Sequence, residues 1–463
     1  MKQRIRMIRR TTAVLLALVS LVFASGCSLF DPVVSVGSPS PQIEITASPA
    51  ETAVPETPTA APEATPQASE QPQPSGAPDE ANGSGAYTIA ADVSESKKTY
   101  YSEASDENAL RVENGAIAGV DGARIEKRAG DATSLENALQ FGLNAAVLSH
   151  ANAQLLLRNS EIAANALGAG GVYAYGGRVQ LEDSVVRATG ASAYALAASA
   201  DGSIRATESS LSTQGAGSPA LIAGIGGQLY LEGGMAATGG EGSPVMIVSG
   251  SLNATNATLR ANNAEAITVS GGSVTLTDCA VSGRIPDSAV SGTLLTPYCV
   301  GMYQLGPGGT TSSFSMTRGA LSALSGDLFY VTNTGASIYL ENVSLTTGAG
   351  GALLRVGGND GSRGWGEAGR NGADCAVIAK NQVLMGDIIA DELSSVSLTL
   401  RGTSTFTGTV NAANTARAAK VTLEDGTTWT LTGNAYLSSF TGRVSGIVTN
   451  GFTVYVNGTA LTK

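Results

Sequence analysis

After residue 140, a pair of apolar residues flanking one mostly polar residue returns at intervals of 22 to 25 residues, apart from two longer intervals. This alternation is that of a strand with one buried face. A chain that repeats one short strand at this period favours folds in which equivalent strands stack on one another. The copies are Leu155/Leu157, Val179/Leu181, Ile204/Ala206, Leu229/Leu231, Leu252/Ala254, Val274/Leu276, Phe314/Met316, Ile338/Leu340, Leu398/Leu400 and Val421/Leu423.

Two further apolar segments accompany most copies of the pair. One begins seven residues after its first member, as at Ile162 and Val186, and the other precedes it, as at 145–148 and 194–197. Gly, Asn, Asp and Ser dominate the turns between them, where left-handed or tight geometry is needed. We therefore predict an all-β chain, a single-stranded right-handed parallel β-helix of about a dozen rungs. Residues 132–142 form the one short helix that we expect.

Composition supports this prediction and excludes one class of partner. The chain has 58 Gly among 463 residues and only 14% charged residues, whereas an average globular protein has about 7% Gly and about 25% charged residues. Tight turns require the Gly, and short half-buried strands with Ser, Thr and Asn outward require little charge. The net charge of −11 and the single His argue against nucleic-acid binding, which needs basic residues to neutralise phosphates.

Residues 1–27 have the features of a secretory signal peptide. Five basic residues and no acid precede an apolar run, Ala13 to Ala24, that is too short to span a hydrocarbon core about 30 Å thick. The run ends in Ala24-Ser25-Gly26-Cys27, which resembles a bacterial lipobox. The resemblance implies that Cys27 is lipidated and becomes the new N-terminus, with more than one acyl chain for stable anchoring. We therefore expect an extracytoplasmic lipoprotein that is anchored to the bacterial membrane and exposed at the cell surface.

Residues 28–85 differ in composition from the rest of the chain. They hold 11 of the 16 prolines and eight acidic residues, and no Lys or Arg. Such a segment cannot form a core, so we predict a disordered Pro/Thr/Glu-rich spacer. Residues 86–463 are then the β-helix, which needs a cap where its core would otherwise be open. We place the cap within 428–456, which concentrates aromatic residues including Trp429.

The folded part resembles a known class of protein. The resembling segments are Gly-Thr-Thr-Ser-Ser-Phe-Ser-Met-Thr (309–317), Leu-Phe-Tyr-Val-Thr-Asn-Thr (328–334), Asn-Asp-Gly-Ser-Arg-Gly-Trp-Gly (359–366) and Asn-Gly-Phe-Thr-Val-Tyr-Val-Asn-Gly (450–458). With these segments, residues 108–463 look like the right-handed parallel β-helix, adhesin-like surface proteins of bacteria, which have a pectate-lyase-like superfold. The resemblance implies architecture and surface exposure but no reaction, because this superfold carries adhesins, lyases, glycosidases and binding rods alike.

Two interruptions of the repeat mark a candidate binding site. Positions 274 and 314 are 40 residues apart and positions 338 and 398 are 60 apart, so each interval extrudes a loop. We expect the loops 306–312 and 357–374 to leave one edge, about two rungs or roughly 10 Å apart. Loops on a rigid scaffold often carry function, and an aromatic ring beside Arg and carboxylates is typical of sugar recognition. The candidate ligand-binding residues are Arg355, Asp360, Arg363, Trp365, Glu367, Arg370 and Asp374.

The alternative for this loop is that it merely covers the solenoid, with Arg–Asp pairs and Trp365 as its anchor. The sequence offers no catalytic residue. Acids at Asp183, Glu208 and Asp278 alternate with Asn and Gly at a turn position, so we interpret them as turn formers. His150 is the only histidine, which excludes a histidine pair or a multi-histidine metal site, and we expect it to be packed or solvated.

Neither a cofactor nor a disulfide is strongly indicated. Residues 357–361 are weakly similar to a calcium-binding glycine repeat, but they occur once, so we predict no cofactor and keep Ca²⁺ as a minor alternative. Cys279 and Cys299 lie about one rung apart, so a disulfide between them is geometrically feasible. With Cys375 there are three such thiols, and separate buried thiols are the favoured state.

We therefore predict a non-catalytic cell-surface β-helix lipoprotein that is adhesin-like or carbohydrate-binding. Its partners would be the membrane, through the lipid anchor, and a glycan or host-surface ligand. Two alternatives stay open. One is a polysaccharide lyase or glycoside hydrolase acting on pectin-like glycans, and the other is a purely structural surface rod.

Overall fold

The computed structural model describes residues 81–286, 296–305, 310–359 and 365–462. Within these ranges the chain is an all-β parallel β-solenoid of about 13 turns with 3% helix. The prediction of a parallel β-helix of about a dozen rungs is confirmed. The predicted signal peptide, Cys27 and the spacer up to residue 80 lie outside the described residues. The last five residues assigned to the spacer are described, and they contain the first strand, β1 (Ser84–Gly85).

Each turn of the solenoid contributes strands to three faces. The first face is a sheet of 12 strands. Its strands are β2 (Thr88–Ile89), β6 (Leu110–Val112), β9 (Val147–His150), β12 (Gly170–Tyr175), β15 (Tyr194–Ser199), β18 (Leu221–Ala223), β21 (Met246–Val248), β24 (Ile267–Val269), β26 (Tyr298–Tyr303), β28 (Asp327–Thr332), β31 (Leu354–Val356) and β34 (Ile388–Ala390).

The second face belongs to a sheet of 22 strands that bends around a corner into the third face. Its strands are β3 (Val93–Ser96), β7 (Ile117–Asp121), β10 (Gln154–Arg158), β13 (Arg178–Glu182), β16 (Ser203–Thr207), β19 (Gln228–Glu232), β22 (Ser251–Thr255), β25 (Ser273–Gly283), β27 (Thr311–Ala323), β29 (Gly335–Glu341), β32 (Asp374–Lys380), β35 (Ser395–Arg401), β37 (Ala418–Leu423) and β40 (Ser439–Thr441).

The third face begins with the remaining strands of that sheet, together with the last parts of β25 and β27, and continues as a sheet of four strands. Its strands are β4 (Thr99–Ser102), β8 (Arg124–Lys127), β11 (Glu161–Ala164), β14 (Val185–Ala188), β17 (Ser210–Thr213), β20 (Met235–Thr238), β23 (Thr258–Ala261), β30 (Ser344–Thr346), β33 (Val383–Met385), β36 (Thr405–Thr407), β38 (Thr428–Thr430) and β41 (Ile447–Val448).

Small elements lie at the two ends and beside the first face. β1 pairs with β5 (Glu107–Asn108), and β39 (Ala435–Leu437) pairs with β42 (Val454–Val456). β42 also pairs antiparallel with β43 (Thr459–Ala460), which ends the parallel stacking. A short 3-10 helix covers Val444–Gly446, and the helix α1 covers Leu135–Phe141.

The register between turns follows the repeat found in the sequence. Leu155 lies opposite Val179 across β10 and β13, and Leu252 lies opposite Val274 across β22 and β25. These side chains are buried, and they belong to one continuous apolar core. Polar residues alternate with them on the outside, as expected for strands with one buried face.

The corner between the second and third faces is a column of left-handed residues. Asn159, Asp183, Glu208, Asn256 and Asp278 have φ values between 45° and 55°. This conformation is sterically costly for most side chains, and Asn and Asp tolerate it because they bond to the nearby backbone. The interpretation of the acids in this column as turn formers is confirmed.

Helix α1 lies against the outside of the first face. Its N-cap is Ser134, whose hydroxyl accepts a hydrogen bond from the N–H of Asn137, and Gly142 ends it in the left-handed region at φ 75°. The Tyr173 hydroxyl, on β12, donates to the carbonyl oxygen of Leu139 at 2.9 Å. The helix predicted within 132–142 is confirmed, and it covers the first face near β12 and β15.

The three cysteines of the solenoid are buried and free. Cys279, Cys299 and Cys375 form no disulfide in the structure. Burial raises the pKa of the Cys299 thiol and that of the Cys375 thiol to about 12, so both are protonated at neutral pH. All three therefore act as small apolar core residues, the state that the sequence favours.

Lys127 is a fully buried cation on β8. Its ammonium nitrogen donates to the Ser102 hydroxyl at 3.2 Å and to the Glu107 carbonyl oxygen at 2.9 Å, and it also bonds the carbonyl of Ala104. Burial lowers the pKa of Lys127 to about 8, although the charges of Glu107, Asp106 and Asp131 oppose the shift. The unfolded chain therefore binds this proton more tightly than the folded chain does.

This difference predicts that stability rises with pH above neutrality. We expect the free energy of unfolding to increase by about 2 kcal/mol between about pH 8 and pH 10, because an unfolded lysine has a pKa of about 10.4. Urea unfolding at several pH values measures this rise. Lys127→Met should flatten it, whereas Lys420→Met, which removes an exposed lysine, should not. A rise that persists in Lys127→Met would contradict the assignment.

Candidate functional site

The corner between the first and second faces carries residues 304–310 of the first interruption and residues 357–373 of the second, whereas residues 284–297 of the first interruption lie between the third and first faces. Gln304, Asn333 and Asn371 occupy the corner between the first and second faces in successive turns. The Asn333 side-chain amide donates to the carbonyl oxygen of Gln304 at 2.6 Å, and the Asn333 backbone N–H donates to that of Asn371 at 2.9 Å. The two loops therefore leave one edge of the solenoid two turns apart, which confirms that part of the prediction.

Four aromatic side chains lie on the outside of the first face, and two of them, Tyr303 and Trp365, lie beside this corner. We call Tyr298, Tyr303, Tyr330 and Trp365 the aromatic cluster. The rings of Tyr298 and Tyr330 stack with their centroids 5.3 Å apart, and those of Tyr303 and Trp365 lie 5.5 Å apart at 30°. The three tyrosines are buried and Trp365 is half-buried. The cluster thus holds Trp365 against the solenoid and leaves part of its indole ring accessible.

Gly301 makes room for two of these rings. It lies between Tyr298 and Tyr303 on β26. A Cβ atom at this position would lie 2.7 Å from Cε2 of Tyr298 and 3.2 Å from Cε1 of Tyr303. Both distances are shorter than ordinary carbon contacts, so a residue without a side chain is what allows the two rings to lie over this strand.

Arg355 is held next to the aromatic cluster by a buried carboxylate. It lies opposite Tyr330 across β28 and β31. Its Nε lies 2.6 Å from Oδ2 of Asp327, and the side chains of Arg355 and Asp327 are 32% and 1% exposed. Asp327 also accepts the backbone N–H of Ala352 at 2.7 Å. The guanidinium of Arg355 is therefore fixed in place, and the side chain as a whole is about a third exposed.

Glu367 and Arg370 form an exposed ion pair on the second loop. Their side chains are 66% and 71% exposed, and Nη1 of Arg370 lies 3.4 Å from Oε2 of Glu367. An ion pair this exposed contributes between zero and about 1 kcal/mol. A ligand that offers hydroxyl or charged groups can therefore replace the pair at little energetic cost.

Asp374 points to a different set of residues. Its carboxylate pairs with the guanidinium of Arg417, which also donates to the Ser395 hydroxyl at 3.0 Å. Asp374 and Ser395 lie opposite each other on β32 and β35 of the second face. The structure thus joins Asp374 to the second face, whereas Arg355 and Trp365 meet the aromatic cluster. Asp360 and Arg363 lie outside the described residues.

Hydrogen bonds fix the described parts of the second loop at both ends. The backbone N–H of Gly358 donates to Oδ2 of Asp391 at 2.6 Å. The Asn371 side-chain amide donates to the carbonyl oxygens of Asn359 at 2.9 Å and Glu367 at 3.1 Å. These bonds hold the segment that carries Glu367 and Arg370 in one position relative to the corner.

The sequence prediction missed the tyrosines and Asp327. Tyr298, Tyr303 and Tyr330 are three of the 13 tyrosines in the chain, and they fall on two consecutive strands of the first face. All three face outward, where an isolated aromatic residue would be exposed. This local concentration is the signal that could have identified them.

Other chemistry is limited among the described residues. No group of three or more His, Cys, Asp or Glu side chains there is placed to hold a metal ion. His150 ends β9, with its Nε2 2.9 Å from Oε2 of Glu113. Burial raises the pKa of Glu113, but hydrogen bonds from Arg111 and His150 lower it by more, so the net shift is downward. This pair packs on the N-terminal turns, as expected for a structural histidine.

Among the residues that the structure describes, no helix has the length and apolar character needed to cross a membrane. No protein-family model matches this chain, and a search of curated proteins finds no match either.

Proposed function

We propose that the chain is a non-catalytic bacterial surface lipoprotein, adhesin-like in architecture, that binds carbohydrate at the second loop. The observation that carries this proposal is the half-buried ring of Trp365. It is held on Tyr303, and the part of the second loop that follows it carries the exposed side chains of Glu367 and Arg370. A fixed aromatic face beside charged hydrogen-bonding groups matches a sugar, which has apolar C–H faces and a rim of hydroxyl groups.

Preorganisation supports binding at this position. The indole ring is already packed, and Asn371 and Asp391 fix the described ends of the loop. A ligand would therefore meet side chains that need little further ordering, and the entropic cost of binding is reduced accordingly. Arg355, fixed by Asp327, adds a guanidinium beside Tyr330 that can bind a hydroxyl or carboxylate of an acidic sugar.

The anchoring part of the proposal comes from the leader. The lipobox-like Ala24-Ser25-Gly26-Cys27 and the acidic, proline-rich residues that follow would hold the solenoid outside the membrane at some distance from it. Exposure at the cell surface is what a glycan-binding rod needs to reach host or neighbouring-cell polysaccharides.

A glycan array probed with the full chain tests this function. We expect binding to at least one polysaccharide, with the affinity reduced about tenfold in Trp365→Ala, which corresponds to about 1.4 kcal/mol for a lost aromatic contact. Arg370→Ala should weaken binding by less, because its ion-pair partner also faces the ligand. Arg443→Ala is the matched control, since Arg443 forms an equally exposed ion pair with Asp425.

Three results would contradict the proposal. Binding that is unchanged in Trp365→Ala would place the site elsewhere. A complete lack of glycan binding would favour a purely structural rod. Release of unsaturated or reducing ends from pectin-like polymers would show a lyase or a glycosidase instead.

A further inference from the structure

One long part of the third face carries almost no charge. It consists of the outward side chains of ten successive turns, on β17, β20, β23, the last parts of β25 and β27, β30, β33, β36, β38 and β41, and we call it the third-face strip. Two outward side chains come from each strand and one from β41, which makes 19, and Arg260 is the one charged residue among them.

The second face behaves differently over the same turns. It carries ion pairs between neighbouring turns, such as Lys380 with Glu341 at 3.0 Å and Arg401 with Glu424 at 3.0 Å. The lack of charge on the third-face strip is therefore a property of that face and does not reflect the composition of these turns. Depletion of charged residues distinguishes the centre of a protein interface from the remaining surface.

The strip also exposes the most accessible large apolar side chains of the described residues. Val383 and Met385, both on β33, are 62% and 64% exposed. Met235 is 44% exposed and Val448 is 45% exposed on the same face. Threonines fill the outward positions of β36 and β38, so methyl groups continue the apolar surface between Met385 and Val448.

We propose that the third-face strip is the interface between two copies of this chain. Ten turns spaced by about 4.8 Å make a strip about 43 Å long and roughly 14 Å wide. It would bury about 600 Å² on each copy, or about 1,200 Å² in all, the lower limit for specific interfaces. The area therefore fits a weak, reversible dimer. This inference does not depend on the glycan site, which lies at the corner between the first and second faces.

The distribution of side chains favours a parallel pair in register. A two-fold axis parallel to the solenoid axis places each turn opposite the same turn of its partner. Val383 of one copy then faces Met385 of the other copy. The two most exposed apolar residues therefore bury each other across the interface. An antiparallel pair would place them against Ala280 and Ser282 instead.

The parallel arrangement also accommodates the one charge. Arg260 of one copy would face Thr258 of the other copy. Its Nε already donates to Oδ1 of Asn262 at 2.8 Å on its own chain. The guanidinium can therefore stay directed toward Asn262 at the edge of the strip. No charged group would then need to be buried without a partner.

Sedimentation equilibrium of the full chain over a range of concentrations tests the dimer. We expect reversible dimerisation, with a dissociation constant at least about tenfold higher in Met385→Glu, because each interface would then bury two carboxylates without a partner. Ile225→Glu is the matched control. Ile225 is 56% exposed and lies between the first and second faces, so its variant should dimerise normally. Circular dichroism checks that both variants fold.

Cysteine cross-linking tests the register. A mixture of chains carrying Val383→Cys and chains carrying Met385→Cys should form a mixed dimer with a short bismaleimide that spans the roughly 10 Å between packed sheets, and the native chain is the control for its own buried cysteines. A chain that stays monomeric, or a dimer weakened equally by Ile225→Glu, would overturn the interface. Binding of a monomer to an insoluble polymer through this face would overturn the choice of a second copy. A dimer that the bismaleimide does not link between positions 383 and 385 would overturn the parallel register.

Discussion

Gly215→Ala should lower the free energy of unfolding by about 3 kcal/mol or more. A Cβ atom at Gly215 would lie 1.8 Å from the carbonyl oxygen of Gly190 in the preceding turn, and one at Gly240 would lie 1.7 Å from that of Gly215. The atom that the new Cβ would clash with is a backbone oxygen that is itself hydrogen-bonded. The carbonyl oxygen of Gly190 accepts a hydrogen bond from the Ser218 hydroxyl at 3.0 Å. Relief would require two turns to separate along this corner.

Gly119→Ala is the matched control for this variant. Its added Cβ atom would lie 3.5 Å from the Ser94 hydroxyl, an ordinary contact distance. Both substitutions lower the conformational entropy of the unfolded chain by the same amount. Because Gly119→Ala adds no clash, this variant should be neutral or more stable by up to about 1 kcal/mol. Urea unfolding followed by circular dichroism compares the two. Equal stability of the two variants would show that the turns can separate at little cost.

The stacking of the turns is predictable because each turn repeats the same inward positions. The insertion between Val274 and Phe314 does not disturb it, since the two residues lie opposite each other across β25 and β27. Ile338 and Leu398 are separated by one intervening strand, β32, as the interval of two rungs plus a loop predicts. The apolar periodicity survives insertions because a loop leaves the solenoid at a corner and returns to the same corner.

Contacts between turns are harder to predict than the turns themselves. Arg355 was grouped with the acids of the following loop, yet its partner is Asp327, in the preceding turn. Asp374 pairs with Arg417, more than 40 residues later. Lateral neighbours in a solenoid are one or two turns apart in sequence, and each loop changes that spacing. The burial of outward tyrosines such as Tyr330 likewise depends on what covers the face, which periodicity does not reveal.

Trp429→Ala is expected to lower the free energy of unfolding by about 4 kcal/mol. The side chain is fully buried, its ring stacks on that of Phe406 with centroids 5.9 Å apart, and its Nε1 donates to the carbonyl oxygen of Gly408 at 3.0 Å. Truncation leaves a large cavity and a buried carbonyl without its donor. Because turns of a solenoid support only their neighbours, the C-terminal turns should unfold first. Urea unfolding and limited proteolysis measure both effects.

Trp365→Ala is the natural control, since Trp365 and Trp429 are the two tryptophans of the chain. Trp365 is half-buried within the second loop, so its truncation should cost within about 1 kcal/mol. Each variant keeps one tryptophan, and the fluorescence of that residue reports the unfolding of the solenoid turn in which it lies. Equal destabilisation would show that Trp365 is part of the solenoid core. A folded Trp365→Ala chain that no longer binds glycan would instead identify the indole ring as a ligand contact.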